Sequence, residues 1–120
     1  MTLLVLSMLK LKQKDIYIAD LNPIKGSEQR GIKPVVIISG NAMNDNLEIC
    51  IVCPLSTSMK HYAGSVLIVK DKTNKLEKDS EAIAYQIRTI SKERMLYKIG
   101  EISNSQLFEI KTKLNEVLTY

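Results

Sequence analysis

The sequence predicts a small, mostly antiparallel β-sheet closed by one C-terminal α-helix. Short runs of apolar and β-branched residues, separated by turn residues, are typical of strands and recur between residues 15 and 90. From Ser103 onwards, the apolar residues instead recur at helical spacing. Many short strands followed by one terminal helix are expected to fold as a curled sheet with the helix packed on it.

The strand prediction depends on two kinds of segment. Residues 15–21 (DIYIADL) alternate apolar and polar side chains, which is typical of a half-buried strand. Residues 35–39, 48–55 and 65–69 are apolar runs, which indicates buried strands, and residues 81–90 are predicted to form one or two more. The intervening segments 40–46, 56–64 and 71–80 are rich in turn-forming or charged residues and are predicted to be turns or solvated connections.

The C-terminal helix is predicted from its start signal and its apolar stripe. Ser103 precedes Gln106 by three residues, which is the capping-box pattern at a helix N-terminus. The helix is expected to extend from Ser103 to about residue 118 with its apolar stripe on the core. The stripe consists of Leu107, Ile110, Leu114, Val117 and Leu118.

Length and composition indicate one globular domain over residues 1–120, with residues 1–11 as an extra N-terminal segment. The chain is 45% apolar and 25% charged, which argues against wholesale disorder. The apolar run 1–9 is shorter than the roughly 20 residues of a membrane span. A signal peptide is not expected, because no basic region precedes the run and no small-residue cleavage site follows it. It is interpreted as a packed arm, or as upstream sequence with Met8 as the true first residue. A cytoplasmic protein is expected.

The charge balance is compatible with an anionic partner. Lys and Arg number 17 and Asp and Glu number 13, so the net charge is +4. Many domains without nucleic-acid partners are equally basic, so the charge does not require one. With five Tyr, one Phe and no Trp, binding of single-stranded nucleic acid by base stacking alone is not expected.

Several common catalytic and metal sites are excluded by residue counts. His61 is the single histidine, and no glycine-rich phosphate-binding motif occurs. Cys50 and Cys53 form a CxxC pair, but there is no second pair of ligands for a zinc site. Residues three apart on a strand face opposite sides, so these cysteines are predicted to be buried thiols and no metal site is expected.

The loop 26–34 (GSEQRGIKP) is the segment richest in possible chemistry. It places a carboxylate, an amide, a hydroxyl and two cations between glycines and Pro34. It is interpreted either as a solvated hairpin loop or as an anion site. In the second interpretation, cations hold a phosphate, a carboxylate moves a proton, and Pro34 fixes the backbone next to Lys33.

This loop and its surroundings resemble the MazF/PemK toxins, the ribonuclease components of bacterial type II toxin–antitoxin systems. The resemblance begins with DIYIADLNPIKGSEQRGIKPVVIIS and continues through IVCPLSTS and DSEAIAYQIRTISKERM. It covers about residues 14–120. The GSEQ block followed much later by QIRTI is a specific pattern, unlike an isolated glycine motif.

The resemblance implies a fold, an activity and partners. The family fold is a compact SH3-like barrel with a C-terminal helix. Its members are homodimeric endoribonucleases that need no metal or other cofactor, cut single-stranded RNA such as mRNA, and are inhibited by a cognate antitoxin. The ribose 2′-OH attacks the adjacent phosphorus, which gives a 2′,3′-cyclic phosphate and a 5′-OH. Since the nucleophile belongs to RNA, the protein has to orient it, move protons and stabilise charge.

The resemblance also implies catalytic residues. The family normally has arginine at the position of Lys33, where it stabilises the transition state; lysine keeps the charge but loses the planar fork that grips two phosphate oxygens. Ser56 matches a catalytic Thr or Ser hydroxyl that hydrogen-bonds a phosphate oxygen. Glu28 matches the loop acid, which acts as a general base or orders the loop by pairing with a cation.

The resemblance further implies a set of RNA-binding residues. These residues are Ser27, Gln29, Arg30, Thr57, Gln86 and Arg88. Strand alternation places Gln86, Arg88 and Ile90 on one face. Without the resemblance, Arg88 is equally compatible with a surface ion pair, and the basic residues at positions 92, 94 and 98 with a solvated face.

Two other functions stay open at this stage. Because Lys33 replaces arginine, the chain is alternatively a catalytically weakened module that binds RNA or the antitoxin. A toxin that poisons gyrase is a third candidate, since a family of such toxins shares the barrel. That family does not share the GSEQ block, which weighs against this candidate.

Overall fold

The structure, a computed structural model, describes residues 10–22 and 31–120. In this part of the chain the strands are β1 (Asp15–Asp20), β2 (Ile32–Ile37), β3 (Ile49–Ser56), β4 (Ser65–Ile68), β5 (Ser80–Ile83), β6 (Arg88–Ser91) and β7 (Met95–Glu101). The α-helices are α1 (Asn41–Asn46) and α2 (Asn104–Thr119), and two 3₁₀ helices span Ala84–Gln86 and Lys92–Arg94. The predicted N-terminal arm over residues 1–9 lies outside the described residues.

The strands form one antiparallel sheet in the order β4-β5-β3-β2-β1-β7, and β6 pairs with β3 beside this path. The predicted fold class, a mostly antiparallel sheet with a C-terminal helix, is therefore confirmed. The described strands do not close into a barrel, since β4 and β7 stand at opposite ends of the pairing path. In this respect the architecture is more open than the resemblance implied.

Strand β3 pairs with three other strands. One of its edges pairs with β2, where Val35 lies opposite Pro54. Its other edge pairs first with β6, from Ile49 to Val52, and then with β5, at Leu55 and Ser56. Pro54 has no N–H to give to a ladder, and it lies where this second edge changes partner.

The sheet buries apolar side chains on both faces, because alternate residues of its central strands point to opposite sides. Ile16, Val36 and Leu55 belong to one core cluster, together with Leu107 and Ile110 of α2. The second cluster contains Leu11, Tyr17, Val35, Val52, Ile90 and Met95. Two buried faces explain why β2 and β3 read as continuous apolar runs rather than as alternating strands.

Helix α2 begins as predicted. The Ser103 hydroxyl accepts the Gln106 N–H at 3.0 Å, and the Gln106 side chain accepts the Ser103 N–H at 2.9 Å. Only the first part of the predicted stripe is buried: Leu107 and Ile110 are in the core, whereas Leu118 is 77% exposed. The apolar side chains near the end of the helix are therefore not covered by the core.

Two segments differ from the sequence predictions. Residues 41–46, predicted to be turns, form helix α1, which tertiary contacts hold in place. The buried Lys92 ammonium donates to the Asn44 carbonyl. The Asn44 side-chain amide donates to the Ser39 carbonyl at 2.9 Å. Lys92 is therefore not part of a solvated face. Lys98 is paired as well, since its ammonium lies 3.1 Å from the buried carboxylate of Asp15.

Arg94, also expected on a solvated face, instead ties two parts of the chain together. Its guanidinium donates to the carbonyl oxygen of Asp20 at 3.1 Å and to that of Asn22. It thus fixes the point at which the chain leaves β1.

Gly100 allows β7 to approach the segment that precedes β5, and this predicts a sensitive position. A Cβ atom at Gly100 would lie 2.6 Å from the Thr73 carbonyl oxygen and also too close to that of Asn74. We expect Gly100→Ala to lower the free energy of unfolding by about 1–3 kcal/mol, the usual cost of overpacking. Gly40→Ala is the matched control, because no atom lies within 4 Å of its Cβ position. Urea denaturation checks both variants, and equal stabilities would contradict the close packing.

Candidate active site

Three side chains of different chemistry stand in a row across neighbouring strands. Ser56 on β3 pairs directly with Glu81 on β5. On the other edge of β3, Val35 pairs with Pro54, and the same register continued by two residues places Lys33 beside Ser56. Directly paired residues of an antiparallel sheet share a face. The sheet therefore presents a cation, a hydroxyl and a carboxylate side by side.

This row borders a cavity of about 600 Å³. Lys33, Ser56 and Glu81 all line it, as does Gln86 from the 3₁₀ helix that follows β5. The remaining lining comes largely from the loop between β3 and β4 and from the aromatic side chains near it: Ser58, Lys60, Tyr62, Ala63, Ser65, Ile83 and Tyr85. The cavity thus has strand residues on one side and a loop on the other.

The Ser56 hydroxyl is oriented by the chain that follows it. Its oxygen accepts the Ser58 backbone N–H at 3.1 Å, and the residue is 8% exposed. This bond uses an oxygen lone pair and not the hydroxyl hydrogen, which can be donated to an anion in the cavity.

Glu81 is a site residue that the sequence analysis did not identify. It is 5% exposed, and its carboxylate accepts the His61 backbone N–H at 3.1 Å and the Ser65 hydroxyl at 2.9 Å. Burial by itself raises the pKa of Glu81, but these hydrogen bonds and the nearby imidazole outweigh it, so the pKa is lowered. The one signal in the sequence is an acidic residue within the apolar strand SEAIA.

Among the described residues that line the cavity, positive charges outnumber negative ones. Lys33 and Lys60 contribute two ammonium groups, against one carboxylate from Glu81. The Lys60 ammonium also lies 6.0 Å from the centre of the Tyr62 ring, within the range of a cation–π interaction. Such an arrangement is suited to an anionic ligand with a flat ring, as in a nucleotide.

The structure brings together some of the predicted site residues and separates others. Lys33, Ser56 and Gln86 share the cavity, although Gln86 belongs to a 3₁₀ helix, so the predicted strand alternation through residue 86 is wrong. Thr57 lines a neighbouring cavity of about 390 Å³ that also contacts Pro34. Arg88 is half-buried on β6 opposite Val52 and is not among the residues that line the 600 Å³ cavity.

The remaining predicted site residues lie in the part of the chain that the structure does not describe. Ser27, Glu28, Gln29 and Arg30 all belong to residues 23–30, outside the described ranges. Their proposed roles stay predictions. Within the described ranges, no group of three or more His, Cys, Asp and Glu side chains could hold a metal ion.

The two cysteines are buried thiols, as predicted. Cys53 belongs to the core cluster under α2 and Cys50 to the cluster on the opposite face, so they do not face one another. Burial raises the pKa of Cys50 to about 11 and that of Cys53 to about 12. Both thiols are therefore protonated at neutral pH. No helix in residues 10–22 and 31–120 has the length and apolar character needed to cross a membrane.

Comparison with known proteins places this chain in a family. The family described as "PemK-like, MazF-like toxin of type II toxin-antitoxin system" matches residues 12–118. The chain is 35% identical over 106 residues to the endoribonuclease MazF of Staphylococcus epidermidis, which covers 88% of each protein.

Solved structures agree with this fold. The crystal structure of MazF from Deinococcus radiodurans superimposes with a TM-score of 0.81 at 21% identity, covering 93% of this chain and 99% of that one. A mycobacterial endoribonuclease in complex with its cognate antitoxin gives a TM-score of 0.73 at 23% identity, covering 90% and 94%.

The buried carboxylate of Glu81 predicts a specific acid sensitivity. Because its pKa is lower in the folded protein than the ordinary value of 4.5, unfolding takes up a proton in the acid range. The free energy of unfolding should therefore fall as the pH drops below about 5. Glu81→Gln should be less stable at pH 7 by about 1–3 kcal/mol and should lose stability less steeply in acid.

Urea denaturation between pH 3.5 and pH 7 measures this difference, with pH values chosen to bracket roughly the titration range of a carboxylate. Glu109→Gln, an exposed acid on α2, is the control and should follow the wild-type pH dependence. Parallel curves for wild type and Glu81→Gln would contradict the assignment.

Proposed function

The chain belongs to the PemK-like, MazF-like family of toxins of type II toxin–antitoxin systems, and we propose that it is an endoribonuclease that cleaves single-stranded RNA without a metal ion. The observation that carries this proposal is the meeting of Lys33, Ser56 and Gln86 at one positively charged cavity. A cation and a hydroxyl beside each other on rigid strands suit the charge that develops on a phosphate during transfer.

The reaction uses the substrate's own nucleophile. The ribose 2′-oxygen forms a bond to the adjacent phosphorus while the bond from phosphorus to the 5′-oxygen breaks, so the products are a 2′,3′-cyclic phosphate and a 5′-OH. The 2′-OH gives up its proton to a base, for which Glu28 is the candidate, and the departing 5′-oxygen takes one up. DNA is not cleaved, because it lacks the 2′-OH.

Lys33 and Ser56 act on the phosphorus centre. The Lys33 ammonium neutralises charge on the non-bridging oxygens, and the Ser56 hydroxyl donates a hydrogen bond to one of them. Neither group has to reorganise during the reaction, since both are carried by paired strands.

RNA on either side of the cut phosphate contacts further residues. Gln86 shares the cavity and hydrogen-bonds the nucleotide bound there. Thr57, in the neighbouring cavity, and Arg88, on β6, contact nucleotides farther from the cut. Ser27, Gln29 and Arg30, from the sequence segment that precedes β2, complete the proposed RNA-binding set.

An antitoxin partner is proposed for the cavity that Lys33 and Lys60 line. A cognate antitoxin covers it with an acidic, amphipathic segment, as expected for a toxin that has to be inhibited until it is needed. A solved relative is in complex with its cognate antitoxin, which supports an antitoxin as a partner. A homodimer and a location in the cytoplasm, where mRNA is found, are part of the same proposal.

A catalytically weakened binding module is the second candidate, because Lys33 stands where the family resemblance implies arginine. The named relative is an endoribonuclease, which favours catalysis over binding alone and over gyrase poisoning. Lysine keeps the positive charge, so a reduced but measurable activity is expected.

Cleavage of a mixed-sequence RNA in EDTA, followed by mapping of the new ends, tests the proposed function. We expect defined cuts in EDTA, a loss of about 100-fold in Lys33→Ala, and a gain of roughly tenfold in Lys33→Arg, because a guanidinium binds two phosphate oxygens at once. Lys111→Ala is the charge control, since it removes an exposed lysine from α2. Absence of cuts by the wild type, or cuts abolished by EDTA, would refute the proposal. Cuts only by Lys33→Arg would identify the natural chain as a silenced binder.

A further inference from the structure

We propose that Glu81 is a positioning residue that holds the loop 57–64 over the cavity, in the conformation that binds RNA. The proposal rests on the proposed function, because it assigns Glu81 a role in RNA affinity. It concerns a residue that does not touch the reacting phosphate and acts through the groups that the loop carries.

The Glu81 carboxylate contacts both the loop 57–64 and the first residue of β4. One oxygen of Glu81 accepts the His61 backbone N–H at 3.1 Å. The other lies 2.9 Å from the Ser65 hydroxyl, whose single hydrogen is shared between this oxygen and the Tyr62 carbonyl oxygen 2.7 Å away. Both oxygens are therefore engaged by the end of this loop and by the first residue of β4. A buried carboxylate with such partners is a rigid anchor, since leaving it unpaired is costly.

The loop has a backbone conformation at His61 that needs support from its surroundings. His61 has φ of +56°, a left-handed conformation that is unfavourable for a residue with a Cβ. Such conformations persist where surrounding contacts hold them. The bond from the His61 N–H to Glu81 is one such contact. Gly64, with φ of +87°, closes the loop against the Tyr85 ring and Val117 of α2, where a Cβ would come 3.0 Å from each.

The loop contributes a cation and an aromatic ring to the cavity. Lys60 and Tyr62, both loop residues, line it, and they are exposed to the solvent that an RNA ligand would displace. The backbones of Lys33 and Ser56, by contrast, are fixed by β2 and β3, and the Ser56 hydroxyl is bonded by the N–H of Ser58, three residues before the anchored His61. Releasing the anchor should therefore weaken RNA binding much more than it slows the chemical step.

A series of variants separates the carboxylate from its partners. Glu81→Gln keeps the size but offers an N–H₂ group to one of the two donors. Ser65→Ala keeps the carboxylate and removes the hydroxyl, with its contacts to Glu81 and to the Tyr62 carbonyl. His61→Gly keeps the backbone N–H and tolerates the left-handed φ, but removes the imidazole, whose Nδ1 is 3.8 Å from the carboxylate. Glu109→Gln on α2 is the matched control.

Two measurements apply to every variant: KM and kcat on a short RNA, and hydrogen exchange of the backbone amide at position 61 without RNA. In Glu81→Gln we expect KM to rise about tenfold, the size of losing one hydrogen bond to a charged group, with kcat within about threefold of wild type. Amide exchange should become at least about tenfold faster. Ser65→Ala should give a smaller rise in KM, and His61→Gly and Glu109→Gln should resemble wild type.

Other outcomes would overturn the proposal. A fall in kcat at unchanged KM in Glu81→Gln would place Glu81 in the chemistry instead, and an effect of His61→Gly as large as that of Glu81→Gln would assign the role to the imidazole. Unchanged KM and exchange in both Glu81→Gln and Ser65→Ala would refute the anchor. If Glu81→Gln does not fold, Ser65→Ala alone decides. If the wild type cleaves no RNA, the proposed function fails, and the exchange rates still decide whether the loop is anchored.

Discussion

The pairing of β3 with three other strands is the constraint on which the fold and the candidate site both depend. Because β3 lies between β2 and β5 near its C-terminal end, Lys33, Ser56 and Glu81 come from distant parts of the sequence and still stand side by side. A shift of one residue in either pairing would turn one of these side chains to the opposite face. The two apolar faces of β3 oppose such a shift, since Cys53 and Leu55 fill one core cluster and Cys50 and Val52 fill the other.

The site combines rigid strands with a loop that needs support. In the proposed function, charge stabilisation requires groups that are fixed before the reaction, and paired strands carry Lys33 and Ser56. The loop 57–64 adds Lys60 and Tyr62 to the same cavity, where we propose that they contact RNA. Burying a carboxylate at the junction is costly by itself, and the hydrogen bonds that Glu81 accepts offset that cost. The same bonds that stabilise the fold thereby shape the binding surface.

Sequence reasoning predicted the parts of this molecule that local patterns determine. The apolar runs of β2, β3 and β4 and the capping box at Ser103 were identified because their signals are short-range. Helix α1 was missed because its six residues include no strong apolar stripe, and its stability comes from Lys92, 48 residues away from Asn44. Burial of Glu81 could not be inferred either, since it depends on which strand becomes the neighbour of β3. The family resemblance supplied Lys33 and Ser56, whereas only the structure shows that they adjoin an acid.

The central claim is that fixed groups on the sheet stabilise charge while the ribose of the substrate supplies the nucleophile. The most direct measurement uses a short RNA cut at one mapped position and the same RNA with a single 2′-deoxy sugar on the 5′ side of that bond. The account predicts that this one substitution abolishes cleavage and leaves binding almost unchanged, and that the natural RNA yields a 2′,3′-cyclic phosphate. Cleavage of the deoxy-substituted RNA at the same bond would contradict it.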